Sequence, residues 1–151
     1  MKINMICFDG VDRSGKDTVR VKCDRMFDYS LINVVRGPIG YVTYNRQFNK
    51  GQDEEAFIET ARVLDGVMIT IYLRNSVETL EERCRATNEV LRDGRSISEQ
   101  KELYESVVAE ATTKWGLENV HVVDNDGPIE DTMARIADIV RKYGYSPRPI
   151  K

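Results

Sequence analysis

Four short apolar runs constrain the fold of this chain more than any other feature of its sequence. The runs are INMICF (3–8), LINVV (31–35), VMITIYL (67–73) and NVHVVD (119–124). They are rich in β-branched residues and nearly continuous rather than alternating, which is typical of strands buried on both faces of a parallel sheet. The sequence therefore predicts a parallel sheet of about four strands.

The segments between and after these runs have the features of helices. The predicted helices cover residues 16–28, 40–48, 53–64, 77–86, 98–114 and 129–142. SVETLEERC begins with a serine cap followed by acidic residues, and Gly144 follows the basic residues that end the last helix. Strands that alternate with helices predict an α/β doubly wound fold with helices on both faces of the sheet. A length of 151 residues fits a single domain, residues 1–151.

Composition and charge exclude several classes of function. The net charge of −3 argues against general nucleic-acid or anionic-membrane binding, because both need a basic surface. The apolar runs are too short to span a bilayer. The three scattered cysteines, Cys7, Cys23 and Cys84, indicate reduced thiols and a cytoplasmic location. With one histidine and no CxxC spacing, a zinc site is not expected.

The stretch FDGVDRSGKDT (8–18) follows the first predicted strand and leads into the first helix. Gly10, Gly15 and Lys16 match the spacing G-x-x-x-x-G-K of a phosphate-binding loop. In such a loop backbone N–H groups surround a polyphosphate, and the lysine reaches its β- and γ-phosphates. The sequence therefore predicts ATP as phosphoryl donor. The predicted ATP-binding residues are Gly10, Val11, Asp12, Arg13, Ser14, Gly15, Lys16, Asp17 and Thr18.

Asp17 stands where the loop template has a serine or threonine whose hydroxyl binds Mg²⁺. A carboxylate is also a hard oxygen ligand, so we predict that Asp17 binds Mg²⁺. The alternative is a solvated residue that suits the helix N-terminus. Thr18 carries a hydroxyl, but it points about 100° further round the helix and would need a shifted loop to replace the missing one.

As a whole, FDGVDRSGKDT resembles the loop of thymidylate kinases and related deoxynucleoside-monophosphate kinases. The shared features are an acidic residue before the first glycine, an Asp-Arg pair, a small residue and Gly-Lys. The resemblance implies that Asp12 approaches the 3′-hydroxyl of the acceptor and that Arg13 contacts the transferring phosphoryl group. Asp9 is predicted as a second metal ligand. For an acceptor hydroxyl, Asp9 or Asp12 is the candidate general base.

A second match to this family is VVRGPIGYVTYNR (34–46). The resemblance implies that Arg36 holds the acceptor phosphate and that Tyr44, eight positions later, blocks a ribose 2′-hydroxyl. Asn45 takes the place of a glutamine that often follows this aromatic residue. Tyr41 lies one helical turn before Tyr44 on the same face and is either a further acceptor contact or part of an apolar stripe.

A third match is ITIYLRNSVETLEERCRATNE (69–89), which resembles the elements that lead into a mobile lid, here about residues 84–97. Kinase lids supply arginines that neutralise the transferring phosphate. The candidates are Arg83, Arg85, Arg92 and Arg95, of which Arg92 and Arg95 are predicted as catalytic. The following helix would place Tyr104 near the site, and VVDNDGP (122–128) would form the loop beside the adenine. His121 is predicted to be a core residue.

Two departures from the family affect the predicted acceptor site. Val35 stands where the family has an aspartate that helps to hold the metal, so we expect Asp17 to take over part of that role. The extra strand and the helices that usually cover the acceptor are absent from the pattern. Helices 40–48 and 53–64, or a second subunit in a homodimer, would have to close the site.

These features favour ATP-dependent phosphoryl transfer to a deoxynucleoside monophosphate, with dTMP first among the candidates. One alternative is a kinase with another acceptor: a nucleoside, a polynucleotide 5′ end or a small hydroxyl compound. Another is an inactive nucleotide-binding regulator, which would bind ATP without turnover. The predicted partners are ATP, Mg²⁺ and a nucleoside monophosphate.

Overall fold

The structure, a computed structural model, describes residues 2–28, 30–86 and 97–148. Within these ranges strands alternate with helices, as the sequence predicts. The strands are β1 (Met5–Asp9), β2 (Ile32–Val35), β3 (Met68–Arg74) and β4 (Val120–Asp124). The helices are α1 (Lys16–Met26), α2 (Pro38–Phe48), α3 (Glu54–Leu64), α4 (Val77–Ala86), α5 (Ile97–Thr113) and α6 (Ile129–Arg141).

The four strands form one parallel sheet in the order β2-β1-β3-β4. Cys7 in the central strand β1 pairs with Val34 on one side and with Thr70 on the other. The strand order reverses between β1 and β3, and open α/β sheets bind ligands outside the carboxyl ends of the strands at such a point. The loop that follows β1 therefore lies at the expected ligand site.

Apolar side chains cover both faces of the sheet, which confirms the doubly wound α/β fold. One buried cluster joins β-strand residues such as Phe8 to Val19 of α1 and Ile136 of α6. The cluster on the opposite face joins Tyr72 of β3 to Tyr104 of α5 and to residues of α2, α3 and α4. Helices thus sandwich the strands, and burial on two sides explains the continuous apolar runs of the central strands β1 and β3. For the edge strands β2 and β4 the expected burial on both faces is wrong, since Ile32 is 57% and Val122 is 44% exposed.

Element boundaries differ from the predicted ones by a few residues, mostly where capping was not recognised. Helix α2 begins at Pro38 rather than at residue 40, because proline suits the first helical position, where no N–H donor is needed. Helix α1 ends at Met26 rather than at residue 28, and Asp28 has a left-handed backbone with φ of 52°. In the described part of the chain no helix is long and apolar enough to cross a membrane.

The amino end of β4 carries a polar network away from the ligand edge of the sheet. His121 lies in β4 as predicted, but it is only half-buried because β4 is an edge strand. Its Nε2 lies 2.7 Å from the hydroxyl of Tyr143, which donates to Asn119 Oδ1 at 3.0 Å. Burial lowers the pKa of His121, and nearby Lys142 lowers it further. The ring is therefore held neutral by its surroundings.

Candidate functional site

The loop between β1 and α1 needs glycine at both predicted positions. A Cβ on Gly10 would lie 2.8 Å from Ser14 Oγ and 2.9 Å from the carbonyl oxygen of Leu73. Gly15 has a left-handed backbone with φ of 95°, and a Cβ there would meet the amide nitrogen of Asn125 at 2.9 Å. Glycine is thus required by close contacts as well as by backbone conformation. The curved loop can present its N–H groups to an anion at the N-terminus of α1.

The ammonium of Lys16 lies within this loop. Its Nζ donates to the carbonyl oxygens of Gly10 at 2.8 Å and Val11 at 3.1 Å. Burial lowers the pKa of Lys16, while the carboxylates of Asp9 and Asp12 raise it. The positive charge of Arg36 lowers it again. Arg36 Nη2 lies 3.8 Å from Asp12 Oδ1, so cations from two different segments lie beside the same loop.

Buried amide and hydroxyl groups outside the loop fix its backbone through hydrogen bonds. Asn125 donates from Nδ2 to the carbonyl oxygen of Ser14 at 2.7 Å, and its Oδ1 accepts from Thr132 at 2.6 Å. The carbonyl oxygen of Asn125 accepts from Asn75 Nδ2 at 2.9 Å. These contacts attach the loop to the ends of β3 and β4, which includes the segment predicted to lie beside the adenine. Among the described residues, buried Ser14 Oγ finds no hydrogen-bond partner.

Arg83 joins the same two loops from α4. Its Nη1 donates to the carbonyl oxygen of Arg13 at 2.9 Å and its Nη2 to that of Asn125 at 3.1 Å. Arg85 is exposed on α4. Arg92 and Arg95 lie outside the described residues, so their predicted catalytic roles stay predictions. Of the lid candidates placed by the structure, Arg83 is the one that contacts the phosphate loop.

Three residues predicted to bind the acceptor come together from three different elements. The Tyr44 hydroxyl donates to Asp12 Oδ1 at 2.6 Å and accepts from Arg36 Nη2 at 3.2 Å. The Arg36 guanidinium stacks over the Tyr44 ring at 4.2 Å, and its Nη2 lies 3.8 Å from Asp12 Oδ1. The side chains of Arg36 and Asp12 are 43% and 58% exposed. Their charged groups are therefore oriented by the protein yet accessible to a ligand.

The chemistry of this cluster depends on a protonated phenol. Burial raises the pKa of Tyr44, and the hydrogen bond to Asp12 raises it further. Tyr44 therefore stays a donor at neutral pH and fixes the rotamer of the Asp12 carboxylate. The cluster offers a cation for an anionic group and a carboxylate for a hydroxyl, which suits a sugar phosphate.

Asn45 and Tyr41, the other two predicted acceptor residues, contact different parts of the protein. Asn45 accepts from the backbone N–H of Gln52 at 2.9 Å and donates to its carbonyl oxygen at 3.2 Å. It thereby fixes the connection between α2 and α3. Tyr41 is 44% exposed and packs against Phe57 of α3, with ring centroids 5.5 Å apart. Their roles toward an acceptor stay predictions.

Asp9 is fully buried and accepts four hydrogen bonds. Its Oδ1 accepts from Gly10 N at 3.2 Å and from the Tyr104 hydroxyl at 2.8 Å. Its Oδ2 accepts from Gly37 N at 3.1 Å and from Gly40 N at 2.9 Å. Burial raises the pKa of Asp9, and the hydrogen bond from Tyr104 opposes that rise. All four donors come from the protein, an arrangement that sequence reasoning did not anticipate.

The two predicted metal ligands, Asp17 and Asp9, lie in different surroundings. Asp17 is exposed in the first turn of α1, next to Lys16, whereas both oxygens of Asp9 are occupied by donors. Within the described ranges, no group of three or more His, Cys, Asp or Glu side chains is placed to hold a metal ion. Kinase magnesium needs only one or two carboxylates together with the substrate phosphates. The predicted metal roles of Asp17 and Asp9 remain untested by this geometry.

A pair of buried glutamines also reaches the loop without having been predicted. Gln100 of α5 accepts from the backbone N–H of Asp12 at 2.9 Å and donates to Gln47 Oε1 of α2 at 2.8 Å. Gln100 and Tyr104 are four residues apart on α5, so they lie on one face of that helix. The spacing of Gln100 and Tyr104, one helical turn apart, was the sequence feature that could have indicated that both side chains point to the end of β1 and its loop.

Comparison with known proteins shows the fold. No protein-family model matches the sequence, and no curated protein matches it. The YorR protein of Bacillus subtilis, in complex with phosphorylated GDP, matches with a TM-score of 0.70 at 17% identity over 91% of this chain and 96% of that chain. Deoxyadenosine kinase from M. mycoides with bound dCTP gives 0.63 at 13%, over 91% and 99%. Thymidylate kinase from Candida albicans gives 0.57 at 13%, over 99% of both chains. The chain thus shares the α/β fold of these three proteins.

Proposed function

We propose that this protein is an ATP-dependent kinase that phosphorylates a deoxynucleoside monophosphate, with dTMP as the first candidate. The observation that carries the proposal is the pair of cations, Lys16 within the phosphate loop and Arg36 at the end of β2. They belong to different segments, yet both reach the same loop. Lys16 Nζ donates to the carbonyl oxygen of Val11 at 3.1 Å, and Arg36 Nη2 lies 3.8 Å from Oδ1 of the next residue, Asp12. One cation can hold the donor phosphates and the other the acceptor phosphate, which brings the two reacting groups into line.

The residues around these cations fit the remaining tasks of phosphoryl transfer. Loop N–H groups and Lys16 bind the ATP phosphates, and Arg13 lies on the same loop, where it can neutralise the group in transit. Asp17 would hold Mg²⁺, which would supply charge neutralisation at the donor phosphates. Asp12 and Tyr44, joined by a hydrogen bond of 2.6 Å, would contact the acceptor sugar.

The four hydrogen bonds that Asp9 accepts favour a phosphate over a hydroxyl as the acceptor. A hydroxyl acceptor benefits from a general base, whereas a monophosphate is already nucleophilic. Asp9 has both oxygens occupied by four donors, and Asp12 accepts the Tyr44 hydroxyl. A nucleoside acceptor is the second candidate, because the 58% exposed Asp12 is the remaining carboxylate able to serve as base.

A coupled ADP-release assay tests the proposal. The wild-type protein is mixed with ATP, Mg²⁺ and each of the eight common nucleoside monophosphates, and in parallel with the corresponding nucleosides. We expect deoxynucleoside monophosphates to give the highest kcat/KM, with dTMP first. Turnover of nucleosides alone would favour the second candidate. Calorimetric ATP binding without turnover of any acceptor would show a nucleotide-binding regulator instead of an enzyme.

A further inference from the structure

We propose that Asp9 is a positioning residue for the acceptor phosphate. Its buried carboxylate fixes the N-terminus of α2, and Tyr104 fixes the carboxylate. Through α2 this pair sets the location of Arg36 and Tyr44. The acceptor part of the inference rests on the proposed function, whereas the attachment of α2 to Asp9 stands on the geometry alone.

Helix α2 lacks a cap of its own. The first N–H groups of a helix have no partner within the helix and need an acceptor from elsewhere. The N-cap residue is Gly37, which offers no side chain, and Pro38 follows it at the first helical positions. Asp9 Oδ2 accepts from Gly37 N and Gly40 N, which are 28 and 31 residues further along the chain. A negative charge at this end also interacts favourably with the helix dipole.

The contact between β1 and α2 is too close for side chains at the two glycines. A Cβ on Gly40 would lie 2.6 Å from Asp9 Oδ1 and 3.0 Å from the Tyr104 hydroxyl. A Cβ on Gly37 would lie 2.6 Å from Cys7 Sγ. Glycine at positions 37 and 40 therefore allows the helix backbone to reach the carboxylate. The helix start is placed by this contact instead of by a local capping side chain.

Arg36 is held in an uncommon conformation immediately before this contact. Its φ is 61°, in the left-handed region that costs a non-glycine residue energy. Its N–H donates to the carbonyl oxygen of Phe8 at 2.8 Å, and the next N–H, of Gly37, donates to Asp9. Such a conformation persists where the surroundings determine it. Phe8 and Asp9, adjacent in β1, thus direct the Arg36 side chain toward Tyr44.

Tyr104 determines the orientation of the Asp9 carboxylate. Its hydroxyl donates to Oδ1, which leaves Oδ2 directed toward α2. The Tyr104 ring is fully buried, stacks on Tyr72 at 5.8 Å and meets the edge of Tyr44 at 6.2 Å. Tyr72 is equally buried, but its hydroxyl has no hydrogen-bond partner among the described residues. The stacked pair therefore provides a matched control.

The test compares Tyr104→Phe with Tyr72→Phe, since each variant removes one hydroxyl from the same buried stack. For Tyr104→Phe we expect the acceptor KM to rise by about 10- to 150-fold, the range for losing a hydrogen bond to a charged group, with the ATP KM changing less than about two-fold. Hydrogen exchange at the Gly37 and Gly40 amides should quicken. For Tyr72→Phe we expect wild-type kinetics and exchange. Asp9→Asn should resemble Tyr104→Phe with a larger change.

Three results would overturn the inference. The first is equal behaviour of the two phenylalanine variants in acceptor KM and in amide exchange. The second is an Asp9→Asn protein with a changed Mg²⁺ requirement and unchanged exchange at the two glycines, which would make Asp9 a metal ligand. The third is a loss of ATP affinity without a change in acceptor KM. If no monophosphate is phosphorylated, the proposed function fails, and amide exchange alone then decides whether Asp9 fixes α2.

Discussion

The proposed donor and acceptor halves of the candidate site lie at the same edge of the sheet but are built differently. The donor half is a continuous loop, residues 10–16, whose shape is fixed by backbone conformation and by buried partners such as Asn125. The acceptor half consists of the partly exposed side chains of Asp12 and Arg36 and the buried ring of Tyr44. Asp12 also belongs to the loop, whereas Arg36 follows β2 and Tyr44 lies in α2. The donor half therefore depends mainly on shape, and the acceptor half depends mainly on charge and orientation.

The largest expected effect is the loss of activity in Lys16→Met, a change in the donor half. Methionine keeps the length of the side chain and removes its charge. We expect kcat/KM to fall by at least about 100-fold, because charge stabilisation of the transferring group is lost. The measurement is ADP release, with circular dichroism as the check on folding. Turnover near the wild-type rate in a folded variant would show that this loop does not bind the donor phosphates.

Arg36→Gly should change the kinetics of the acceptor and leave those of ATP unchanged, unlike Lys16→Met. The acceptor KM should rise by about 10- to 100-fold, because a charge-assisted hydrogen bond is lost, while the ATP KM stays near the wild-type value. Glycine is chosen because it adopts the φ of 61° without strain, so thermal unfolding should occur near the wild-type temperature. A change confined to ATP affinity would mean that Arg36 belongs to the donor half.

Variants of Tyr44 test whether the acceptor half distinguishes deoxyribose from ribose. We expect wild-type protein to prefer dTMP over its ribose analogue by about 10- to 100-fold in kcat/KM, because a buried hydroxyl without a partner costs 1–3 kcal/mol. Tyr44→Phe keeps the ring and should keep this preference, while Tyr44→Ala should lose it. Equal rates for both sugars in the wild type would refute the assignment.

The metal role proposed for Asp17 predicts that its variants change the Mg²⁺ dependence of activity. Asp17→Asn should lower activity several-fold at low Mg²⁺ and recover partly with more Mg²⁺ or with Mn²⁺, because a carboxylate ligand is weakened. Asp17→Ser should lose less than Asp17→Ala, and Val35→Asp should improve the serine variant. Activity is titrated against metal concentration for each protein. An asparagine variant that matches the wild type at low Mg²⁺ would leave Asp17 as a solvated residue at a helix N-terminus.

The smallest expected effect lies outside both halves, at His121. Because its pKa is lowered in the folded protein, the unfolded chain takes up the proton first as pH falls below about 6.5. The stability that neutral His121 provides above that pH is lost as pH falls through the folded pKa. The Tm of the wild type should therefore drop more between pH 8 and pH 5 than that of His121→Gln. Identical drops, or altered KM values in the variant, would contradict this assignment.

The sequence indicated the phosphate-loop pattern more directly than the contacts of Arg36 and Tyr44, for a physical reason. A phosphate loop is local, so its glycines and lysine appear within seven consecutive residues, 10–16. Buried parallel strands leave equally local apolar runs, and the sheet followed from them. Arg36 and Tyr44 were predicted only through a resemblance, because their contact with Asp12 depends on the folded arrangement of β1, β2 and α2.

Contacts between distant buried polar groups were missed. Asp9 was predicted to bind a metal, a role that stays a prediction, and nothing local indicated that Tyr104, 95 residues away, donates to it. Asn125 is 111 residues from its partner Ser14. Asn45 was matched to the glutamine that often follows the family's aromatic residue, and its contact with Gln52, only seven residues away, was not predicted. Pairing of polar groups follows tertiary packing, which no periodicity encodes.

The shared carboxylate of Asp9 has a thermodynamic consequence for the two ligands. Oδ1 accepts from Gly10, the first residue of the phosphate loop, and Oδ2 accepts from the first turn of α2. A nucleotide that displaces Gly10 therefore acts on the group that holds the acceptor helix. By reciprocity, the factor by which ATP alters acceptor affinity must equal the factor by which the acceptor alters ATP affinity. Cooperativity between the two substrates would thus be transmitted through the side chain of Asp9. A change that weakens the hydrogen bonds of Asp9 would reduce the effect of ATP on the acceptor and the effect of the acceptor on ATP by the same factor.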